Sequence, residues 1–275
     1  MSAYSGTRGG GGLDGLRGLY DDALIIRMII LKGLRSKYRD NPLGLLLEFL
    51  KPVIICTVHY FYFAYAGRDV PDDVYLAFVL GGFSIWFCFI TAYSGTLEGR
   101  RSAGGVTNIP GVTLMHVCLA KSIWSFLLFF MFAYLVAVPA AILGTPISPP
   151  AFLLSFCCYG LAACLGFAFG LVTKAIAVVI PPLSPFLKLF RWALFISSGI
   201  YGSLSTVSHI EAGIVIYNPL IHLAEYERHA LDPGYPVFHA SLAYPCFILV
   251  VLLFFGLASN RALARRGRGM NGYFA

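Results

Sequence analysis

Six histidines, thirteen carboxylates and seven cysteines are the stock from which this chain could build a catalytic or metal centre. The histidines His59, His116, His209, His222, His229 and His239 are scattered. Only His222 and His229, with Glu225 between them, share a helix face, as a weak metal pair or as polar residues on an interfacial helix. No H-E-x-x-H, G-x-S-x-G or paired-carboxylate motif occurs, so the sequence predicts no catalytic residue and no metal centre. Cys56, Cys88, Cys118, Cys157, Cys158, Cys164 and Cys246 mostly lie in apolar runs. They show no C-x-x-C spacing and read as small buried residues. No G-x-x-x-x-G-K-[ST] loop is present to cradle a phosphate, and residues 1–12, ending in four glycines, read as a flexible tail.

The chemistry left is electrostatic and aromatic. Arg35, Lys37 and Arg39, with Lys174, Lys188 and Arg191, could form a basic mouth that draws in a phosphate-bearing lipid. Ordinary enrichment of cations on the cytoplasmic side accounts for the same residues. Tyr62, Tyr65, Phe83, Trp86, Phe87 and Tyr93 could present ring faces to a sliding glycan. The competing reading is an aromatic belt with lipid-facing filler.

These groups need a frame, and composition says which. Hydrophobic residues make up 58% of the 275 and charged residues 12%, about half the roughly 25% of soluble domains. Mean hydropathy is +0.77. The solvent for most of the chain is therefore lipid, and spans of about 20 residues are expected. Uncharged runs cover 74–94, 122–143 and 151–173. The run 53–66 is too short to cross, so a first span must start near Leu43 and absorb Glu48 and Lys51. Pro181, Pro182 and Pro185 break the next stretch, and further spans are expected over about 186–207 and 237–260. The stretch to Lys51, the 95–121 and 174–191 stretches and the tail from Arg261 hold 18 of the 20 Lys and Arg. Segments 67–73, 144–150 and 208–236 hold only Arg68 and Arg228. The positive-inside rule then predicts six spans with both termini cytoplasmic, and residues 261–275 as a basic cytoplasmic tail. The net charge of +7 belongs to this sorting and not to nucleic acid.

Two more elements flank the spans. From Leu13 to Tyr38 apolar residues recur every three or four positions between charges, predicting an amphipathic interfacial helix within 13–42. In the external segment, Asn218 is a strong N-cap and Pro219 suits the first helical position. A short helix should start at Pro219 and stop before Asp232-Pro233-Gly234. With 210–217 it is expected to form a re-entrant hairpin between spans five and six. Its Ile214, Ile216, Asn218, Pro219, Leu220 and Leu223 would close the external end of a pore. Gly95-x-x-x-Gly99 and Gly166-x-x-x-Gly170 permit close helix contact.

In this order the features resemble the capsular polysaccharide export permeases, a branch of the ABC-2 type permeases. The resemblance rests on Arg35-Ser36-Lys37-Tyr38, Leu43-Gly44, Lys51-Pro52 and Pro110-Gly111-Val112. Tyr217-Asn218-Pro219-Leu220-Ile221-His222 is its most specific part, and the whole covers roughly residues 15–260. The chain departs from the pattern at Lys51, where an acidic residue is common, and at Met115-His116, where an Asp is often found. The resemblance implies an all-α integral membrane protein whose 43–260 region is the transmembrane domain. It implies a homodimeric pore in the bacterial inner membrane, exporting a lipid-linked polysaccharide. A separate ATPase subunit in two copies would hold ATP and Mg²⁺ and dock on the loop carrying Glu98, Arg100, Arg101, Pro110 and His116. Periplasmic adaptor and outer-membrane export proteins are further partners it suggests. Alternative readings are an O-antigen or teichoic-acid exporter of the same type, or a membrane-embedded enzyme acting on lipid-linked glycan. The enzyme reading would need Glu48 and Lys51 or the external His/Glu set.

Overall fold

A computed structural model describes residues 12–38, 43–65, 72–99, 105–142, 149–204, 213 and 215–265. Among these residues every regular element is helical. The order is α1 Gly12–Tyr38, α2 Leu43–Tyr65, α3 Asp72–Leu97, α4 Leu114–Ile142, α5 Pro149–Val179, α6 Ser184–Ile196, α7 Pro219–Leu231 and α8 Ala243–Arg265. Single 3₁₀ turns at Val106–Asn108 and Pro181–Leu183 precede α4 and α6.

Among the described residues four stretches are long and apolar enough to cross a membrane: Ala77–Leu97, Leu114–Val138, Ala151–Val179 and Ala243–Leu263. They correspond to expected spans two, three, four and six, although α4 starts at Leu114 and α8 runs from Ala243 to Arg265 where 237–260 was expected. α2 is one helix with Pro52 inside it and carries Glu48 and Lys51, as the first span required.

The fifth expected span differs. α6 has 13 residues, ending at Ile196 where a helix to 207 was anticipated. At a rise of about 1.5 Å per residue it is roughly 20 Å long, short of a hydrocarbon core of about 30 Å. The chain turns at Ser197–Gly199, with Gly199 at φ 84°, a conformation open to glycine and closed to most side chains. The serines hold the frayed end: Ser197 N and Oγ both bond Ala193 O, and Ser198 N and Oγ both bond Phe195 O.

α3 is the hub, packed against α2, α4, α5 and α7. In lipid, apolar surface gains little by leaving its solvent, so helices associate through close packing and satisfied polar groups. The α3–α5 seam shows this. A β-carbon at Gly170 would lie 2.6 Å from Thr96 Cβ, and one at Gly166 would strike Phe89 O. The Gly95-x-x-x-Gly99 pattern does the same against α4, where a β-carbon at Gly95 of α3 would sit 2.8 Å from Lys121 Cβ and one at Gly99, just past α3, 2.7 Å from Cys118 Sγ. α8 packs on α5 and α7 and leaves Phe247, Val250, Phe254 and Phe255 exposed.

Candidate functional site

The stretch from α6 through α7 to Tyr235 contains the densest buried polar chemistry among the described residues. α7 begins where the sequence predicts. Asn218 sits in extended backbone at φ −85°, ψ 117°, and its Oδ1 accepts from Leu220 N at 3.0 Å. Pro219 fills the first helical position, where a missing N–H costs nothing. Asn218 also acts on a second helix. Its Nδ2 donates to Leu194 O at 2.9 Å and to Ser197 Oγ at 2.8 Å. One carboxamide thus starts α7 and closes the carbonyl end of α6. Both jobs answer the same problem, because helix ends leave backbone groups unpaired and lipid offers them nothing.

Arg228 completes the repair of the break. Its side chain is fully buried, as is that of its partner Glu225, with Nη1 2.8 Å from Glu225 Oε1. The guanidinium donates from Nε to Phe78 O at 3.2 Å, from Nη1 to Gly202 O at 3.3 Å and from Nη2 to Gly199 O. It stacks 3.8 Å above the Phe78 ring. Glu225 accepts from Leu204 N and Ser203 Oγ, each at 3.2 Å, and from Tyr235 at 3.3 Å. The turn after α7 brings Tyr235 back, with Gly234 N bonded to Asp232 Oδ1 at 2.8 Å. A buried pair justifies its desolvation only with its remaining hydrogen-bonding groups satisfied, and these two meet that demand.

The gap that admits Arg228 comes from α3. A β-carbon at Gly81 would lie 2.8 Å from Arg228 Cγ, and one at Gly82 would lie 3.1 Å from Arg228 Nη2 and 3.2 Å from Gly199 O. The glycine pair is therefore part of the site.

His222 fastens α7 to its flanks. Ser241 N donates to Nδ1 at 3.2 Å, so the ring proton sits on Nε2, which donates to Ile216 O at 2.8 Å. Burial lowers its pKa, and the bond to Ile216 opposes that only in part. His229 turns away to bond Tyr235 O at 2.9 Å, so the two histidines serve separate backbone groups.

The residues expected to plug a pore are partly placed. Ile214 lies outside the described residues, and Ile216 is half-buried. Leu220 and Leu223 are fully buried against the hub within the single chain. Of the aromatics expected along a glycan path, Phe83, Trp86 and Tyr93 are buried and Phe87 is half-buried, whereas Tyr62 and Tyr65 are exposed. Phe83 faces His59 of α2 at 4.2 Å, and Trp86 meets Phe195 of α6 at 5.1 Å.

On the other expected face, Glu98 and Pro110 are exposed, while Arg100 and Arg101 lie outside the described residues. His116 opens α4. Thr113 N donates to its Nδ1 at 3.1 Å, and His116 N donates to Thr113 Oγ1 at 3.4 Å, a reciprocal cap. Its Nε2 lies 3.2 Å from Asp22 Oδ1 on α1. Ile29 joins Val106, Val112, Leu114 and Val117 in a small buried cluster beside this contact. α1 and the 105–117 segment are thus packed together, a link the sequence did not announce.

The opposite side of α1 carries a groove of about 940 Å³ lined by Leu24, Arg27, Met28, Leu31, Lys32, Arg35 and Ser36. Arg35 and Lys188 are exposed, and Lys174 and Arg191 are half-buried. Arg39 and the side chain of Lys37 lie outside the described residues.

No family model matches the chain. Two curated relatives from Escherichia coli, each called polysialic acid transport protein KpsM, are 24% and 23% identical to it over 237 residues. The match takes in 86% of this chain and 92% of each relative. The resemblance to capsular polysaccharide export permeases carried by the Asn-Pro-Leu, Lys-Pro and Pro-Gly-Val motifs is thereby borne out along most of the chain.

Proposed function

We propose that this chain is the transmembrane permease subunit of an ABC transporter that exports a lipid-linked, capsule-type polysaccharide across the bacterial inner membrane. The observation that carries the reading is the near end-to-end similarity to proteins named for polysialic acid transport. The four apolar helices supply a membrane domain. The sequence contains no phosphate-binding loop, so ATP and Mg²⁺ belong to a separate ATPase subunit.

In this reading two copies of the chain form the pore and two ATPase copies dock beneath it. Glu98, Arg100, Arg101, Pro110 and His116 form the docking surface, and Asp22 ties that surface to α1. Arg35, Lys37, Arg39, Lys174, Lys188 and Arg191 attract the lipid phosphate, with Arg27 and Lys32 of the α1 groove beside them. Tyr62 and Tyr65, exposed on α2, are the aromatics of the expected set best placed to meet a glycan in the pore. α7 and the segment before it form the external closure, held by Asn218 and the Glu225–Arg228 pair.

Deletion of the gene, followed by locating the polysaccharide, tests the reading. Polymer retained inside the cell, and released again when the gene is restored, is the expected result. Surface polymer at the normal level in the deletion strain would refute it.

A further inference from the structure

α7 carries a third buried charge-bearing residue that the lock does not use. Glu227 is 0% exposed. Its Oε1 accepts from Ser155 Oγ of α5 at 2.8 Å, and its Oε2 makes no hydrogen bond. Arg228 follows it in sequence but projects about 100° around the helix, where its donors are committed to Glu225, Phe78, Gly199 and Gly202. The other titratable groups beside Glu227 are Tyr159 and Cys158 of α5, Tyr134 of α4 and Cys88 of α3; Glu225, two residues back on the same helix, points the other way. None of them is a cation.

The hydroxyls beside it do not fill that gap. Ser84 Oγ donates to Leu80 O and meets Tyr159 Oη at 2.5 Å. Tyr159 stands next to Glu227 while sharing its hydroxyl with Ser84. An ionised carboxylate would hold one short bond, from Ser155, and leave Oε2 bare, whereas a neutral acid carries no charge to satisfy.

We propose that Glu227 is a proton-binding site, occupied while α7 is seated between α3 and α5, and that loss of this proton favours release of α7. The proton neutralises a carboxylate whose Oε2 has no donor, at the place where α7 packs against α5 and α3. Burial pushes the Glu227 carboxyl from 4.5 up to about 8, against the smaller pull of the Ser155 and Tyr159 hydroxyls. A raised carboxyl pKa makes seating fully favourable below the ordinary carboxylate range. That preference is lost as pH rises through about 8. Below that point the deprotonated fraction grows about tenfold per pH unit. The inference needs neither a substrate nor a transport cycle, so it stands or falls apart from the export reading.

The test uses the full-length protein in lipid nanodiscs, with Cys56, Cys157, Cys164 and Cys246 replaced by Ala and one reporter, Ala230→Cys, on α7. Ala230 is buried, so an impermeant maleimide, with the adduct at position 230 quantified by peptide mass spectrometry apart from the buried Cys88, Cys118 and Cys158, reads release of the helix. After correction for thiol reactivity with a free-thiol standard, the labelling rate should climb severalfold between mildly acidic and alkaline pH. In Glu227→Gln, which keeps the acid's shape and cannot ionise, it should stay flat. The infrared spectrum of the protein at neutral pH should show a neutral carboxylic acid band that Glu227→Gln removes. Should the glutamine variant fail to insert, Ser155→Ala serves instead. Removing the donor to Oε1 disfavours the ionised form, so the midpoint should move to higher pH. A pH-independent labelling rate in the parent, a missing acid band, or an unmoved midpoint in Ser155→Ala would each overturn the proposal.

Discussion

Asn218 offers the sharpest test of why the junction between α6 and α7 is built as it is. As a plain N-cap, its replacement by Ala would cost about 1 kcal/mol. The structure requires more, because the same carboxamide also bonds Leu194 O and Ser197 Oγ across the break between α6 and α7. Asn218→Ala removes three hydrogen bonds, each worth about 0.5–1.5 kcal/mol net, and leaves Leu220 N and Leu194 O without their partner. The expected loss is about 2–3 kcal/mol, which shifts a two-state equilibrium of the segment by about 30- to 150-fold.

Asn218→Asp separates the two roles. Aspartate is as good an N-cap as asparagine and keeps the acceptor for Leu220 N. It has no donor for Leu194 O and would aim negative charge at that carbonyl. The double role predicts that Asp is about as harmful as Ala, and that Ser, which keeps a cap but cannot reach Leu194, is milder. Release of α7, read by the Ala230 thiol in nanodiscs, and resting ion leak in liposomes are the measurements. Both should rise in Ala and Asp with inserted protein unchanged. An Asp variant that matches the parent in both assays would show that only the cap at Leu220 matters.

The remaining expectations concern the lock and the ATPase side. Gly81→Ala or Gly82→Ala should lower the amount of folded, membrane-inserted protein severalfold, because a β-carbon displaces Arg228 or the Gly199 carbonyl; Gly160→Ala, with nothing within 4 Å of the new carbon, is the control. Equal levels in all three would remove the glycine pair from the site. Arg228→Gln and Glu225→Gln should each destabilise the protein by about 3–5 kcal/mol, since either strands a buried charge. The double variant should cost clearly less than their sum in a denaturation series, and a strictly additive cycle would refute the pairing. Arg100→Glu with Arg101→Glu should uncouple ATP hydrolysis from export in the reconstituted complex without loss of inserted protein. Normal export in that double variant would reduce both arginines to topology signals.

How much of this was legible depended on how far each signal reaches along the chain. The start of α7 was readable because Asn218-Pro219 is complete within three residues, and capping chemistry is local. α1 was readable because an amphipathic period repeats over its whole length. The end of α6 was not. It depends on Gly199, one of 29 glycines, and on remote groups that answer the freed carbonyls. The Gly81-Gly82 pair likewise passed for ordinary residues in an uncharged run. Its purpose appears only when Arg228 is laid against it.

Glu225, Glu227 and Arg228 illustrate the deeper limit. Their spacing is visible, and Glu225 to Arg228 is a regular i, i+3 pair, yet hydropathy assigns such residues to a wetted helix face. The acceptors that reverse this lie 26 residues away at Gly202, 29 at Gly199 and 150 at Phe78. A helix that ends inside the packed chain leaves carbonyls that water cannot reach, and donors must be brought to them from elsewhere in the fold. Arginine fits this place because its planar fork carries five donors that remain charged under burial. Here one fork reaches three backbone carbonyls from two segments and the Glu225 carboxylate as well. The broken helix and the buried charge are therefore one feature. A sequence reader who finds an arginine on a short helix of a largely apolar chain should ask which helix end needs its hydrogen bonds before assigning it to solvent.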